Sequence, residues 1–358
     1  MIRLSPGRAT TALRGLCTRA ALAGLALAGA SVAQADTDEA TACLAAKDGH
    51  VQTIAHCTAA IDAPDLPDAR RAALLTQRGL ARMAARDLEH AHEDFDAALK
   101  LDGNAAWGYN ARAVYWMQKG EAGKAVDDYE RAVQLKPDYA FAWANLGNAR
   151  LIQGDLDRAL SDLDEAVRRA PPRLEIVFTT RGRARLAKAD YAHALEDFSA
   201  ALAANPRHAN ALSGMAYVHF CQGDFDAAAA EFAKERSLRQ DDESAIDLLL
   251  AVRRGGHDGK GTLAELIGHD RPADQGLPPA LALFSGAIGP GQVLQSAEDH
   301  DPQARRQRHC AADFAVAEWY LLDSDKAAAR KYFTAARDSC NPSQGEFAAA
   351  GAELARLP

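Results

Sequence analysis

Laid out at a spacing of 34 residues, with one slip of a single residue, the apolar positions of this chain fall into columns. Alanines stand at Ala91, Ala125, Ala159, Ala194 and Ala228, and four places on come Phe95, Tyr129, Leu163, Phe198 and Phe232. Three places further on, Ala98, Ala132, Ala166 and Ala201 form another column, which Glu235 breaks. A helix-ending residue closes each unit: Gly103, Pro137, Pro171, Pro206 and Asp241. In the unit 140–173, apolar residues three and four apart flank Gly154-Asp155, and Pro171-Pro172 stops the second half. That pattern predicts two amphipathic helices joined by a tight turn. Small residues in both halves let the backbones approach, and bulky ones fill the gaps between them. A period of this length predicts a stacked array that buries its core between successive units.

The columns Trp143, Leu146, Gly147, Ala159, Leu163, Ala166 and Pro171 resemble the tetratricopeptide repeat (TPR) family. The resemblance covers units starting near residues 72, 106, 140, 175 and 209. Weaker copies lie around 36–68 and at 310–343, where Ala317, Tyr320, Ala329, Phe333, Ala336 and Pro342 approximate the columns. It implies an all-α, right-handed TPR superhelix, an α-solenoid of about six or seven helix hairpins. The expected organisation is a degenerate N-terminal hairpin at 36–71, five units at 72–242, an irregular helical connector at 243–309, and a hairpin with a terminal helix at 310–358.

Residues 1–35 read differently. Arg3, Arg8, Arg14 and Arg19 form a positive region without an acid, an apolar stretch spans 20–33, and Ala33-Gln34-Ala35 is a cleavage pattern. This predicts a secretory signal cut after Ala35 and a periplasmic or otherwise exported product. No later apolar stretch approaches the roughly 20 residues that cross a bilayer. Losing the four arginines takes the formal charge from −8 to −12, which disfavours nucleic acid as a partner.

In a hairpin, offsets that sum to about 30 face each other across the turn. This places Arg78 opposite Asp94, Arg112 opposite Asp128 and Arg181 opposite Asp197, pairs that read as structural rather than as a binding stripe. The same rule sets Cys43 against Cys57 in the first hairpin and Cys310 against Cys340 in the last. Both are candidate disulfides in an oxidising compartment, the alternative being buried free thiols; Cys221 is left over.

No catalytic motif stands out. His90 and His92 are two apart on one helix and cannot share a metal ion well, and Gly255–Gly261 lacks the spacing of a phosphate-binding loop. No metal, cofactor or enzymatic activity is expected. The family resemblance implies that first helices line a concave groove for peptides or helices. Its binding offsets fall on Trp107, Asn110, Phe141, Asn148, Arg183 and Tyr217. Asparagine can both donate to and accept from a peptide backbone, and aromatics can anchor it. The expected function is a non-catalytic scaffold or adaptor binding envelope or exported proteins. Its layout also resembles periplasmic TPR proteins that dock envelope hydrolases. An assembly factor for exported proteins, or a ligand or catalytic site within 244–309, are the alternatives.

Overall fold

The computed structural model describes residues 38–45, 49–63, 65–169, 172–239, 241–268 and 277–358. The expected signal at 1–35, with its cleavage site, lies outside the described residues, as does Pro171. All regular structure among the described residues is helical. The chain divides into two compact units, one comprising residues up to Arg150 with Arg168–Pro171, the other Leu151–Val167 with Pro172–Pro358.

Unit 1 begins with α1 (Asp38–Ala45) and α2 (Gly49–Ile61), joined by the Cys43–Cys57 disulfide. Two hairpins follow, α3 (Asp68–Ala84) with α4 (Leu88–Leu101), and α5 (Ala106–Lys119) with α6 (Ala122–Leu135). Then comes α7 (Ala140–Gln153), whose last turn passes the unit boundary, as does that of α8 (Leu156–Arg168). Unit 2 continues with α9 (Leu174–Ala187) and α10 (Tyr191–Ala204), α11 (Ala209–Gln222) and α12 (Phe225–Leu238), and α13 (Asp242–Arg254). Three short helices, α14 (Lys260–Gly268), α15 (Pro279–Ser285) and α16 (Pro290–Ser296), lead to the hairpin α17 (Pro302–Leu322) and α18 (Lys326–Ser339). The chain ends in α19 (Gly345–Arg356).

Two helix starts precede their expected positions. α3 begins at Asp68, directly after Pro67, four residues before the repeat columns do. α17 begins at Pro302, because Asp301 accepts the Gln303 amide at 2.9 Å and proline fits the first turn, where its missing N–H costs nothing. The connector therefore hands over to the final hairpin eight residues before Cys310.

The repeat columns are the core. Ala91, Phe95 and Ala98 are fully buried in unit 1, and Ala194, Phe198 and Ala201 in unit 2. Ala329, Phe333 and Ala336 of the final hairpin are buried as completely. The small first-helix column exists to admit the large second-helix residue: a Cβ on Gly182 would meet the Phe198 ring at 2.7 Å. Glu235, which breaks its column, is buried and paired with Arg239 at 3.2 Å.

The turn between the two helices of a hairpin needs a left-handed residue at offset 15. Gly120 (φ 78°), Gly154 (φ 85°) and Gly223 (φ 84°) supply it without strain, but Arg86 (φ 69°), Ala189 (φ 59°) and Ser324 (φ 67°) hold the same conformation with a side chain. Asp224 and Asp325 then cap the following helices by accepting the amides of Ala227 at 3.2 Å and Ala328 at 3.0 Å.

The three expected arginine–aspartate pairs form, each within its own hairpin. Arg78 meets Asp94 at 2.7 Å, Arg112 meets Asp128 at 2.8 Å, and Arg181 meets Asp197 at 2.7 Å. These carboxylates are buried rather than exposed, and Asp94 and Asp197 each receive a second arginine, Arg82 and Arg185, at 2.7 Å. The arginines also reach back. Arg112 bonds Asp96 at 2.8 Å and Arg181 bonds Asp164 at 2.7 Å, both acids lying on the second helix of the preceding repeat.

Candidate functional site: the first-helix faces

The six candidate groove residues separate by unit. In unit 1, Trp107, Phe141 and Asn148 stay half-buried on α5 and α7. Trp107 packs against the unit's core, and its indole Nε1 is buried with no hydrogen-bond acceptor among the described residues. Asn110 is 1% exposed, and its Oδ1 accepts from Asn145 Nδ2 at 3.0 Å. It is thus a cross-helix tie beneath the face rather than a free contact, which corrects the expectation for this residue. Its buried amide would be costly to leave unpaired, so Asn145 supplies a partner. The exposed part of that amide pair is the half-buried Asn145, one offset beyond the expected column. Trp143 is half-buried too and donates from Nε1 to the Pro137 carbonyl at 2.9 Å.

Unit 2 is different. Arg183 is half-buried on α9, but Tyr217 is 5% exposed. The Tyr217 hydroxyl donates to Asp247 Oδ1 at 2.9 Å, its ring meets Phe232 edge-on at a centroid distance of 5.2 Å, and Gly345 of α19 lies directly against it. Tyr217 is therefore covered rather than open, so the expectation of a free contact at this position is not met. The reason is α19, which lies on α11 and touches α9.

A buried ionic cluster accompanies that helix. Arg254 of α13 bonds Glu318 of α17 and Glu353 of α19, each at 3.0 Å, and both carboxylates are at most 1% exposed. Arg356 pairs with Glu353 as well, and donates to the carbonyls of Phe220 and Cys221 in the last turn of α11. Burial lifts the Glu318 carboxyl to about 7, with Arg254 opposing the rise and Glu353 adding to it. Burial likewise pushes the Cys221 thiol up to about 12, so at neutral pH it stays protonated and is a poor nucleophile.

Among the described residues no three His, Cys, Asp or Glu side chains are arranged to hold a metal ion, and no helix is long and apolar enough to cross a membrane. Cys310 and Cys340 are joined across the α17–α18 hairpin, and Cys221 is a buried free thiol.

Comparison with known proteins places the repeats. Residues 116–154 match a model of the TPR repeat, and residues 142–173 and 179–245 match models of the tetratricopeptide repeat. The chain is 28% identical over 104 residues to small glutamine-rich tetratricopeptide repeat-containing protein 2 of Mycosarcoma maydis, covering 29% of this chain and 30% of that protein. It thus spans under a third of the length of that curated relative. Among solved structures, PilW, a type IV pilus biogenesis factor, superposes with a TM-score of 0.52 at 20% identity, over 55% of this chain and 91% of PilW. A tetratricopeptide repeat protein from Parabacteroides merdae superposes with a TM-score of 0.50 at 14% identity, over 78% of this chain and 97% of its own. Residues 116–173 and 179–245 are thus tetratricopeptide repeats.

Proposed function

We propose that this protein is a non-catalytic scaffold that binds an extended segment of a partner protein on the first-helix face of unit 1. The observation that carries the reading is the half-burial of Trp107, Phe141, Asn145 and Asn148 on α5 and α7. There, apolar surface lies beside amides that can bond a peptide backbone. Phe141 supplies the anchor and Asn148 a donor and an acceptor for one peptide unit, the division of labour typical of a small energetic centre in an interface. The partner is an envelope or exported protein. The segment 1–35, read as a secretory signal, and two disulfides both suit an oxidising compartment. A nucleic-acid partner does not suit a chain whose formal charge is −8.

The test is affinity capture from envelope extract, comparing the parent chain with the double variant Phe141→Ala, Asn148→Ala. Both side chains lie on the partly open face, so circular dichroism should record unchanged helicity. The expected result is that the retained partner falls by about tenfold or more, the loss typical of removing an interface anchor. An unchanged set of retained proteins would refute a unit 1 site.

A further inference from the structure

The first-helix face of unit 2 already holds a helix. We propose that α19 is an intramolecular ligand of this face: α9 and α11 form a helix-binding surface, and the chain's own terminal helix occupies it. The inference does not depend on what unit 1 binds.

Three observations point to a seated ligand. The first is register. α19 touches α11 at Tyr217, Phe220 and Cys221, which are offsets 9, 12 and 13 of their repeat. Tyr217 is the position in this repeat that the family resemblance marks as facing a bound segment, and here α19 is what it faces. The second is the shape of the contact. α19 presents Gly345 to the Tyr217 ring, where any Cβ would collide, and buries Ala348, Ala349 and Ala350. A helix with so little side chain approaches its neighbours closely, the arrangement by which a helix is laid into a groove.

The third is how the helix is held. Much of the attachment is polar. Arg356 bonds the carbonyls that end α11, where a helix carries its negative pole and its unpaired acceptors. Arg254 holds Glu353 at 3.0 Å, Arg337 stacks on Phe347 at 4.0 Å, and Arg330 donates to the carbonyl of Leu357 at 2.7 Å. Buried ion pairs give orientation more than net stability, because their desolvation offsets most of the attraction. Alanines remove little apolar area from water compared with the phenylalanines of the adjacent hairpin. Beside these contacts the apolar seat of the helix is small: the alanines, Leu357 and the half-buried Phe347 and Leu354. The α17–α18 hairpin before it is closed on itself by Phe314 against Phe333 and by the Cys310–Cys340 disulfide, and it meets α11 through Phe314 and Phe220, with ring centroids 6.2 Å apart.

The surface beneath α19 accordingly fits one kind of competitor. It is a short alanine-rich helix with glycine at its start and a Glu-x-x-Arg sequence near its end, as in Glu353–Arg356.

The test uses the full chain. Gly345→Leu places a side chain against Tyr217, and in a separate variant Glu353→Lys sets a second cation beside Arg254. Hydrogen exchange is read on α11, α17, α18 and α19, and binding of a fluorescent peptide with the sequence of residues 343–358 is measured by anisotropy. In at least one variant, α19 amides should exchange about tenfold faster or more while α17 and α18 keep their protection, as separate cooperative units do. That variant should bind the peptide, and the parent chain should not. If α17, α18 and α19 lose protection together, α19 is a part of the core and the proposal fails. It fails equally if α19 keeps its protection in both variants, or if an unseated variant does not take up the peptide.

Discussion

The two units carry the same first-helix architecture but present different faces. Unit 1 shows half-buried aromatics and amides along α5 and α7, whereas in unit 2 the corresponding face of α11 lies under α19. Asn148 and Tyr217 make the contrast concrete. They stand nine offsets into their repeats, yet one is partly open and the other is 5% exposed. The columns of a repeat set how helices pack, and what covers the remaining face is decided elsewhere in the chain. In unit 2 it is decided 128 residues after Tyr217, by Gly345.

The comparison can be broken most forcefully at Arg254. Arg254→Met leaves Glu318 buried without its partner and Glu353 with Arg356 alone. Stranding a buried charge in this way costs about 3–5 kcal/mol. The chain carries a reporter for each side, with Trp107, Trp116 and Trp143 in unit 1 and Trp319 in unit 2. With all tryptophans but one replaced by phenylalanine, urea unfolding should show the Trp319 transition moving to lower denaturant and the Trp143 transition holding. Equal movement of both would mean that the units unfold as one.

A smaller effect should appear with pH in unit 2. Because burial raises Glu318 from 4.5 to about 7, the folded unit keeps a proton that the unfolded chain releases over that interval. Stability from this source is complete below about 4.5 and disappears as pH rises through 7, by up to about 3 kcal/mol. Urea midpoints read from Trp319 should fall between pH 5 and pH 7.5, and Glu318→Gln should remove that slope. A slope that survives the substitution would assign it to another group.

The smallest change sharpens the comparison by being the same on both sides. Arg86 in unit 1 and Ala189 in unit 2 hold the left-handed turn that glycine takes elsewhere. Glycine at either position should stabilise its unit by up to about 1 kcal/mol, since relief of the left-handed strain exceeds the added entropy of the unfolded chain. Thermal denaturation with the single-tryptophan reporters would measure it, and unequal gains would show that one turn is held by more than its own backbone.

Much of the fold was legible because its determinants are local and recurrent. The alanine and phenylalanine columns, the Arg–Asp pairs across three of the hairpins and the facing cysteines all follow from spacing within one unit. The site was less legible because its determinants are not local. Offset alone could not separate Asn110, tied beneath the face, from Asn148 on it, since the difference rests on Asn145 in the next repeat. Nor could it anticipate Tyr217, because the glycine and alanines of α19 carry no period in common with the repeat they cover. The start of α17 lies outside the repeat columns. Asp301-Pro302 is a helix-opening pair, but the repeat columns drew the boundary to Cys310.

One column joins neighbours rather than halves of a hairpin. Asp96, Glu130 and Asp164 stand at offset 25 of consecutive repeats, and each binds an arginine of the next first helix: Arg112, Arg150 and Arg181. The following two repeats have Ser199 and Ala233 there. The hairpins are therefore alike in shape but not interchangeable in order. A copy of 175–208 inserted ahead of Arg112 would fit by every apolar criterion and still offer that arginine a serine. Each such exchange would cost up to about 1 kcal/mol, the worth of a half-exposed ion pair, so the order of the hairpins is marked, weakly, by a different set of residues from those that build them.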